Sequence, residues 1–326
     1  MKRNIRQISL AALSVIAALV MREARAADVP QIDLNEWTPP AIGSVGDDAF
    51  GKLVKYGYAL FTDTPAQIGP AAPDPAKRFA RSSLTCENCH LKAGTQPYAV
   101  PLAGVWGQFP QYRGREGGIG TLEERINGCL ERSMNGVALP LDGLEMKAYL
   151  AYMKWLSTGI PDGARLIGSG TKSIKEPGRA ADPGNGAKVF AETCARCHGK
   201  DGLGQRAENG PGFRFPPLVG PDSYNNGAGM TRVLAAAAFI RHNMPFGVTY
   251  ETPVLSDADA YDVAAYVNSL ERPVRPGLDK DFPVRLQKPV DTPYGPYADG
   301  FPPEQHKYGP FDPIRAKVRE LSSAGK

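Results

Sequence analysis

Charge of one sign is scarce in this 326-residue chain: 38 lysines and arginines stand against 34 aspartates and glutamates, a formal excess of +4. So small a surplus argues against a nucleic-acid partner and leaves room for a small anionic substrate or an acidic protein partner. Long apolar runs are nearly absent too. Ile8 through Val20 is short of the roughly 20 residues a bilayer core needs, and nothing later approaches it. No membrane span is therefore expected in the mature chain. With Lys2, Arg3 and Arg6 before it and Ala24-Arg25-Ala26 after it, that run reads as a secretory leader, residues 1–26, cleaved after Ala26. The destination expected for such a chain is the periplasm. Cysteine is sparse and odd in number: Cys86, Cys89, Cys129, Cys194 and Cys197 cannot all pair as disulfides, even in an oxidising compartment. What the chain has in quantity is glycine (36) and proline (30), which predicts long loops between short regular elements.

Apolar residues recur at helical spacing in a few places. Asp47 to Phe61 predicts one helix. A second starts at Thr121, where Glu124 three residues later completes a capping-box pattern. A third runs from Asp142 to about Leu156. After a Gly-, Pro- and Ser-rich stretch the same order returns: a helix from about Asn185, an Ala-rich helix from Thr231 to Arg241, and a helix from Asp257 to Leu270 capped by Ser256. The division that follows is an N-terminal domain over 27–160, a linker over 161–184, a C-terminal domain over 185–272, and a Pro-rich tail over 273–326. The tail shows no helical or strand period before Pro313 and is expected to wrap over the domains.

Each half holds one Cys-x-x-Cys-His: Cys86-Glu87-Asn88-Cys89-His90 and Cys194-Ala195-Arg196-Cys197-His198. Two thiols that add to the vinyl groups of a haem and a histidine that binds its iron fit on one helical turn, so the pair of motifs predicts two covalently attached haem c groups. Zinc and disulfides are the alternatives. Helix, motif, loop, helix, loop, helix, given twice, resembles two tandem class I cytochrome c domains, which implies an all-α fold. His90 and His198 are the expected proximal ligands.

The distal ligands differ between the halves. Asn243-Met244-Pro245 follows the Ala-rich helix and makes Met244 the expected partner of His198, with His242 and Met230 as alternatives. The first half has no such Met-Pro; Met134, Met146, Met153 and Lys92 are its weaker options. It has instead the fifth thiol, Cys129, at the edge of the stripe Leu122, Ile126, Leu130 and Ser133, with Arg125 four residues before and Arg132 three after. Cations lower a thiol's pKa and favour the thiolate, a metal ligand and nucleophile. The bland alternative is an inert buried cysteine.

The run Thr121 to Gly136, TLEERINGCLERSMNG, resembles the Cys-ligand helix of the dihaem thiosulfate dehydrogenases. Tyr112-Arg113-Gly114-Arg115-Glu116, Tyr294-Gly295-Pro296-Tyr297 and Glu304 to Pro310 are similar too, so the likeness spans about Gly51 to Ile314. It implies His/Cys ligation at a catalytic first haem and His/Met or His/Lys at the second; Asn243 stands where some members carry lysine. It also implies coupling of two thiosulfates to tetrathionate, with two electrons passed to a soluble acceptor cytochrome c or other small redox protein. Arg115 and Arg125 match positions that hold the anion, with Arg113 and Arg132 as possible helpers. Two routes stay open at Cys129, a covalent sulfonated thiol and outer-sphere coupling, as does reversal toward tetrathionate reduction. The competing readings are a dihaem electron carrier without its own substrate and a Sox-type sulfur-carrier cytochrome.

Overall fold

Polar side chains set where the helices begin. In this computed structural model, which describes residues 29–324, Asp48 opens α1 (Ala49–Thr62) by accepting from Gly51 N at 2.7 Å. The expected leader, 1–26, lies outside the described residues. Thr121 and Glu124 make both bonds of the capping box at the head of α2 (Leu122–Arg132): Glu124 N donates to Thr121 Oγ1 and Thr121 N to Glu124 Oε2. α3 covers Leu144–Leu156. In the second half, Asp182 caps α4 (Pro183–Val189), whose first residue is a proline that has no N–H to leave unbonded. α5 is Val233–Asn243, and Ser256 caps α6 (Asp257–Ser269). Within the tail lie a short helix, Pro303–Tyr308, and α7, Asp312–Ala324.

The two halves share one construction. α1 packs on α3, and α4 packs on α6. Each crossing is made at a glycine: a Cβ on Gly57 would fall onto the carbonyl oxygen of Ala148, and one on Gly186 onto that of Asp262. Only glycine lets two backbones come so close. Around the first crossing Val54, Leu60, Phe61, Met146, Tyr149 and Tyr152 are buried. Each such side chain contributes about 1.5–3 kcal/mol by leaving water. Around the second, Val233, Ala237, Tyr261, Ala264 and Ala265 form a core with Phe311 and Ile314 of the tail.

Helices dominate, yet the expectation of an all-α fold needs amending, because three two-stranded ladders are present among the described residues. β1 (Gln31–Asp33) pairs in parallel with β4 (Arg165–Ile167); β2 (Gln111–Arg113) pairs antiparallel with β3 (Gly118–Gly120), and β5 (Gln205–Arg206) with β6 (Phe213–Phe215). Strands of two or three residues are too short for an alternation to show in the sequence. The stretch 161–184, expected as a linker, is not structureless: it supplies β4, and Thr171 bridges to Ala99.

The tail touches both halves. Phe282 N donates to Arg115 O at 2.7 Å, and Arg275 pairs with Glu131 at 3.0 Å. Further on, Asp291 accepts from Arg232 Nε at 2.7 Å and from Leu234 N at 3.1 Å, so a tail carboxylate serves the N-terminus of α5, which has no cap of its own. Direct bonds also join the halves: Asn225 N donates to Arg132 O, and Gln96 Nε2 to Asn243 Oδ1.

Candidate functional site

Asn88 Oδ1 accepts from Thr85 N at 2.8 Å and closes the 3₁₀ turn Cys86–Asn88, which sets the Cys86 thiol against α3. Cys86 Sγ lies 3.7 Å from Tyr149 Oη and 3.7 Å from Thr64 Oγ1. His90 follows, its ring 5.8 Å from that of Phe61. Its Nδ1 is 2.6 Å from Val100 O. Donation to that carbonyl fixes the ring orientation and leaves the Nε2 lone pair free for a metal.

Cys86, Cys89, His90 and Cys129 line one cavity of about 800 Å³, with Leu84, Leu102, Ile126, Met134 and Met153 among its apolar walls. α2 brings Cys129 into the same cavity. Four residues make about one helical turn, and Arg125 Nη1 donates to Cys129 Sγ at 2.8 Å. The three thiols of this cavity differ sharply. Burial pushes Cys86 up to about 11 and Cys89 up to about 12. Burial acts on Cys129 in the same direction, but the Arg125 charge and the nearby His90 ring outweigh it and bring the thiol down to about 6. A haem fits what is present: two protonated thiols, a histidine of fixed tautomer, and a thiolate in one apolar cavity.

Arg115 also lines the cavity, and its surroundings come from elsewhere in the chain. Its Nη1 donates to Gly227 O (3.1 Å), Asp281 Oδ2 (3.0 Å) and Tyr294 Oη (2.9 Å), and its guanidinium lies over the Phe282 ring. Arg132, expected beside Cys129, is drawn off to the same carboxylate: its Nη2 donates to Asp281 Oδ1 at 2.7 Å and its Nη1 to Gly227 O at 3.3 Å. Burial raises the Asp281 carboxyl, yet its bonds to Arg132 and Tyr294 and the two cations hold it below the usual range. Arg113 pairs with Glu116 in its own hairpin and, with its side chain only 16% exposed, lines the cavity as well. Asp281, Tyr294 and Gly227 were not singled out as site residues from the sequence; the likeness around Tyr294 was the one available signal.

In the second half, α4 runs into a π-helical turn, Phe190–Cys194, and then Ala195–His198. π turns inserted in helices are frequent at functional sites. His198 repeats the arrangement of His90, with Nδ1 2.8 Å from Pro216 O. Burial pushes the Cys194 thiol up to about 11. Met244 directly follows α5, half-buried and in extended conformation. Of its alternatives, His242 is buried with Nδ1 3.0 Å from Ala238 O, and Met230 lines the cavity of the first half together with Tyr224. All five cysteines are free thiols, so the disulfide alternative is set aside.

Known proteins share these features. The family described as SoxA/TsdA, cytochrome c domain, matches residues 76–161, and the family described as Cytochrome c matches residues 184–271. The chain is 42% identical over 240 residues to the thiosulfate dehydrogenase of Stutzerimonas stutzeri, covering 74% of each. It is 42% identical over 255 residues to that of Allochromatium vinosum, covering 77% of this chain and 88% of the relative. Among solved structures it is similar to thiosulfate dehydrogenase (TsdBA) from Marichromatium purpuratum, with a TM-score of 0.67 at 37% identity, over 74% of this chain and 51% of that one. With that identity sustained along most of its length, and two tandem cytochrome c domains, this chain belongs to the thiosulfate dehydrogenase family.

Proposed function

We propose that this protein joins two thiosulfate ions into tetrathionate: one S–S bond forms between the terminal sulfurs, each thiosulfate gives up one electron, and no proton is taken up or released. The two electrons leave to a soluble acceptor cytochrome c, in the periplasm once the leader over 1–26 is removed. The observation that carries this reading is Cys129: a thiol lowered to about 6, bonded to Arg125 and sharing with His90 a cavity that Arg115 also lines. A plain electron carrier has no need of that combination.

In this reading Cys86 and Cys89 would anchor the first haem c and Cys194 and Cys197 the second, with His90 and Cys129 holding the first iron and His198 and Met244 the second when the groups are bound. Haem c supplies a one-electron acceptor at each site when bound. A thiolate donor favours the oxidised metal and a thioether the reduced one, so Cys129 and Met244 would bias electrons to pass from the first half to the second. Val100 O and Pro216 O orient the two imidazoles. Arg125 stabilises the Cys129 thiolate, and the cations of Arg115 and Arg125 offset the double charge of thiosulfate through charge-assisted hydrogen bonds.

The experiment mixes purified dihaem protein with thiosulfate and an oxidised soluble cytochrome c, following acceptor absorbance and assaying tetrathionate. Two acceptors reduced per tetrathionate formed is the expected result. Acceptor reduction that does not depend on thiosulfate would leave only the electron carrier.

A further inference from the structure

Two guanidinium groups that meet at one point repel, and Arg115 and Arg132 converge on the same backbone carbonyl, Gly227 O. The tail resolves that conflict. Asp281, more than nine-tenths buried, accepts from Arg115 on one carboxylate oxygen and from Arg132 on the other. Tyr294 ties the arrangement together, accepting from Arg115 at 2.9 Å while donating to Asp281 Oδ2 at 2.7 Å. Behind them Lys288 Nζ donates to Tyr294 O at 2.8 Å and to Pro296 O at 3.0 Å, which holds the Tyr294 loop. Every side-chain hydrogen bond that Arg115 makes among the described residues runs through Nη1, while the residue lines the cavity. Its Nε and Nη2 are thereby left for a ligand, and one edge of the guanidinium is fixed by three acceptors.

We propose that Asp281, with Tyr294, is a positioning residue for the anionic substrate: it fixes Arg115 so that its free edge faces the cavity and keeps Arg132 from displacing it. The inference rests on the reading of Arg115 as a thiosulfate-binding residue and goes beyond it by assigning the geometry of that residue to the C-terminal tail. A rigid donor loses less freedom when it binds than a mobile one, so preorganisation shows in substrate affinity rather than in the rate of the bound complex. Charge alone makes the opposite forecast. Removing a carboxylate beside two cations makes the site more positive and would tighten anion binding.

The test is Asp281→Asn in the dihaem protein, read as KM for thiosulfate and kcat separately, beside Tyr294→Phe, Asp281→Glu and Arg115→Ala. Positioning raises KM about tenfold in Asp281→Asn with kcat little changed, the scale of one charge-assisted hydrogen bond. Tyr294→Phe follows in the same direction by less, and Asp281→Glu recovers part of the loss. A KM that falls in Asp281→Asn is a charge effect and overturns the inference. An unchanged KM with a lower unfolding temperature makes Asp281 purely structural and overturns it as well. Should Asp281→Asn not fold, Tyr294→Phe decides alone, because it removes one oxygen and no charge; parental KM there overturns the inference. Arg115→Ala separates the two levels. A raised KM there with parental KM in Asp281→Asn leaves Arg115 in place and removes Asp281, whereas parental KM in Arg115→Ala removes the reading of Arg115 and the inference with it.

Discussion

The halves of this molecule are alike where they are scaffold and unlike where they face the distal side of each motif. Both cross their first and last helices at a glycine, Gly57 and Gly186, and both aim the Nδ1 of the motif histidine at a backbone carbonyl, Val100 O and Pro216 O. In the cavity that His90 lines, however, α2 presents a thiol bonded to Arg125; after α5 the second half presents Met244 before a proline. The cavity of the first half is also not its own alone. Tyr224 and Met230 of the second half line it, and Asp281 of the tail holds Arg115, one of its arginines. The lesson is that a duplicated frame leaves chemistry to a few residues on one side of it, and that those residues are steadied by chain from outside the duplicated unit.

The largest break in the comparison comes from making the first half ordinary. Cys129→Ala should leave both haems attached, remove the thiolate signature from the electron paramagnetic resonance spectrum of one, and leave the other unchanged. Activity should fall by more than the ~100-fold that loss of a partner behind a metal ligand costs. An unaltered spectrum would take Cys129 out of the coordination sphere.

Met244→Gly tests the opposite half. The second haem's potential should fall while the first still accepts electrons from thiosulfate, so delivery to the acceptor slows but reduction of the first haem persists. Each ~59 mV lost at a one-electron centre weakens that transfer equilibrium about tenfold. A redox titration of the parent protein that put the Met244 haem well below the other would reverse the proposed flow and favour tetrathionate reduction.

The smallest effect sharpens the likeness instead. Gly57→Ala and Gly186→Ala should each destabilise by about 1–3 kcal/mol, the usual cost of forcing a methyl group into a filled contact. Chemical denaturation of the two variants should give similar losses, since each new Cβ meets a backbone oxygen of the facing helix, Ala148 O or Asp262 O. A loss confined to one variant would show that the crossings are not equivalent.

Much of the frame was legible in the sequence because its signals are local. Asp48, Thr121 with Glu124, and Ser256 each mark a helix start within four residues of the bond they make. Arg125 and Cys129 are one helical turn apart, so their contact needs nothing beyond α2. The strands were not legible: β1 and β4 are three residues each and meet across more than a hundred positions. Nor was the fate of Arg132, whose partner Asp281 lies 149 residues further on. Helical spacing put Arg132 near Cys129, but a buried carboxylate holds a guanidinium more strongly than a neighbour on its own helix.

By itself, then, the sequence determined the candidate ligands and their local order: two Cys-x-x-Cys-His turns, a lone thiol on an amphipathic helix, and a Met-Pro after an Ala-rich one. Those are contacts within a turn or two, and helix geometry makes them unavoidable once the helix forms. Only the tertiary structure decided that Arg132 is neutralised by Asp281, that the tail supplies Asp281 to one half and Asp291 to the other, and that Met230 belongs to the first cavity. Those outcomes depend on burying charge and apolar surface between segments far apart in the chain. No local pattern encodes that choice, because the partner with the lowest desolvation cost is known only when all the candidates are in place.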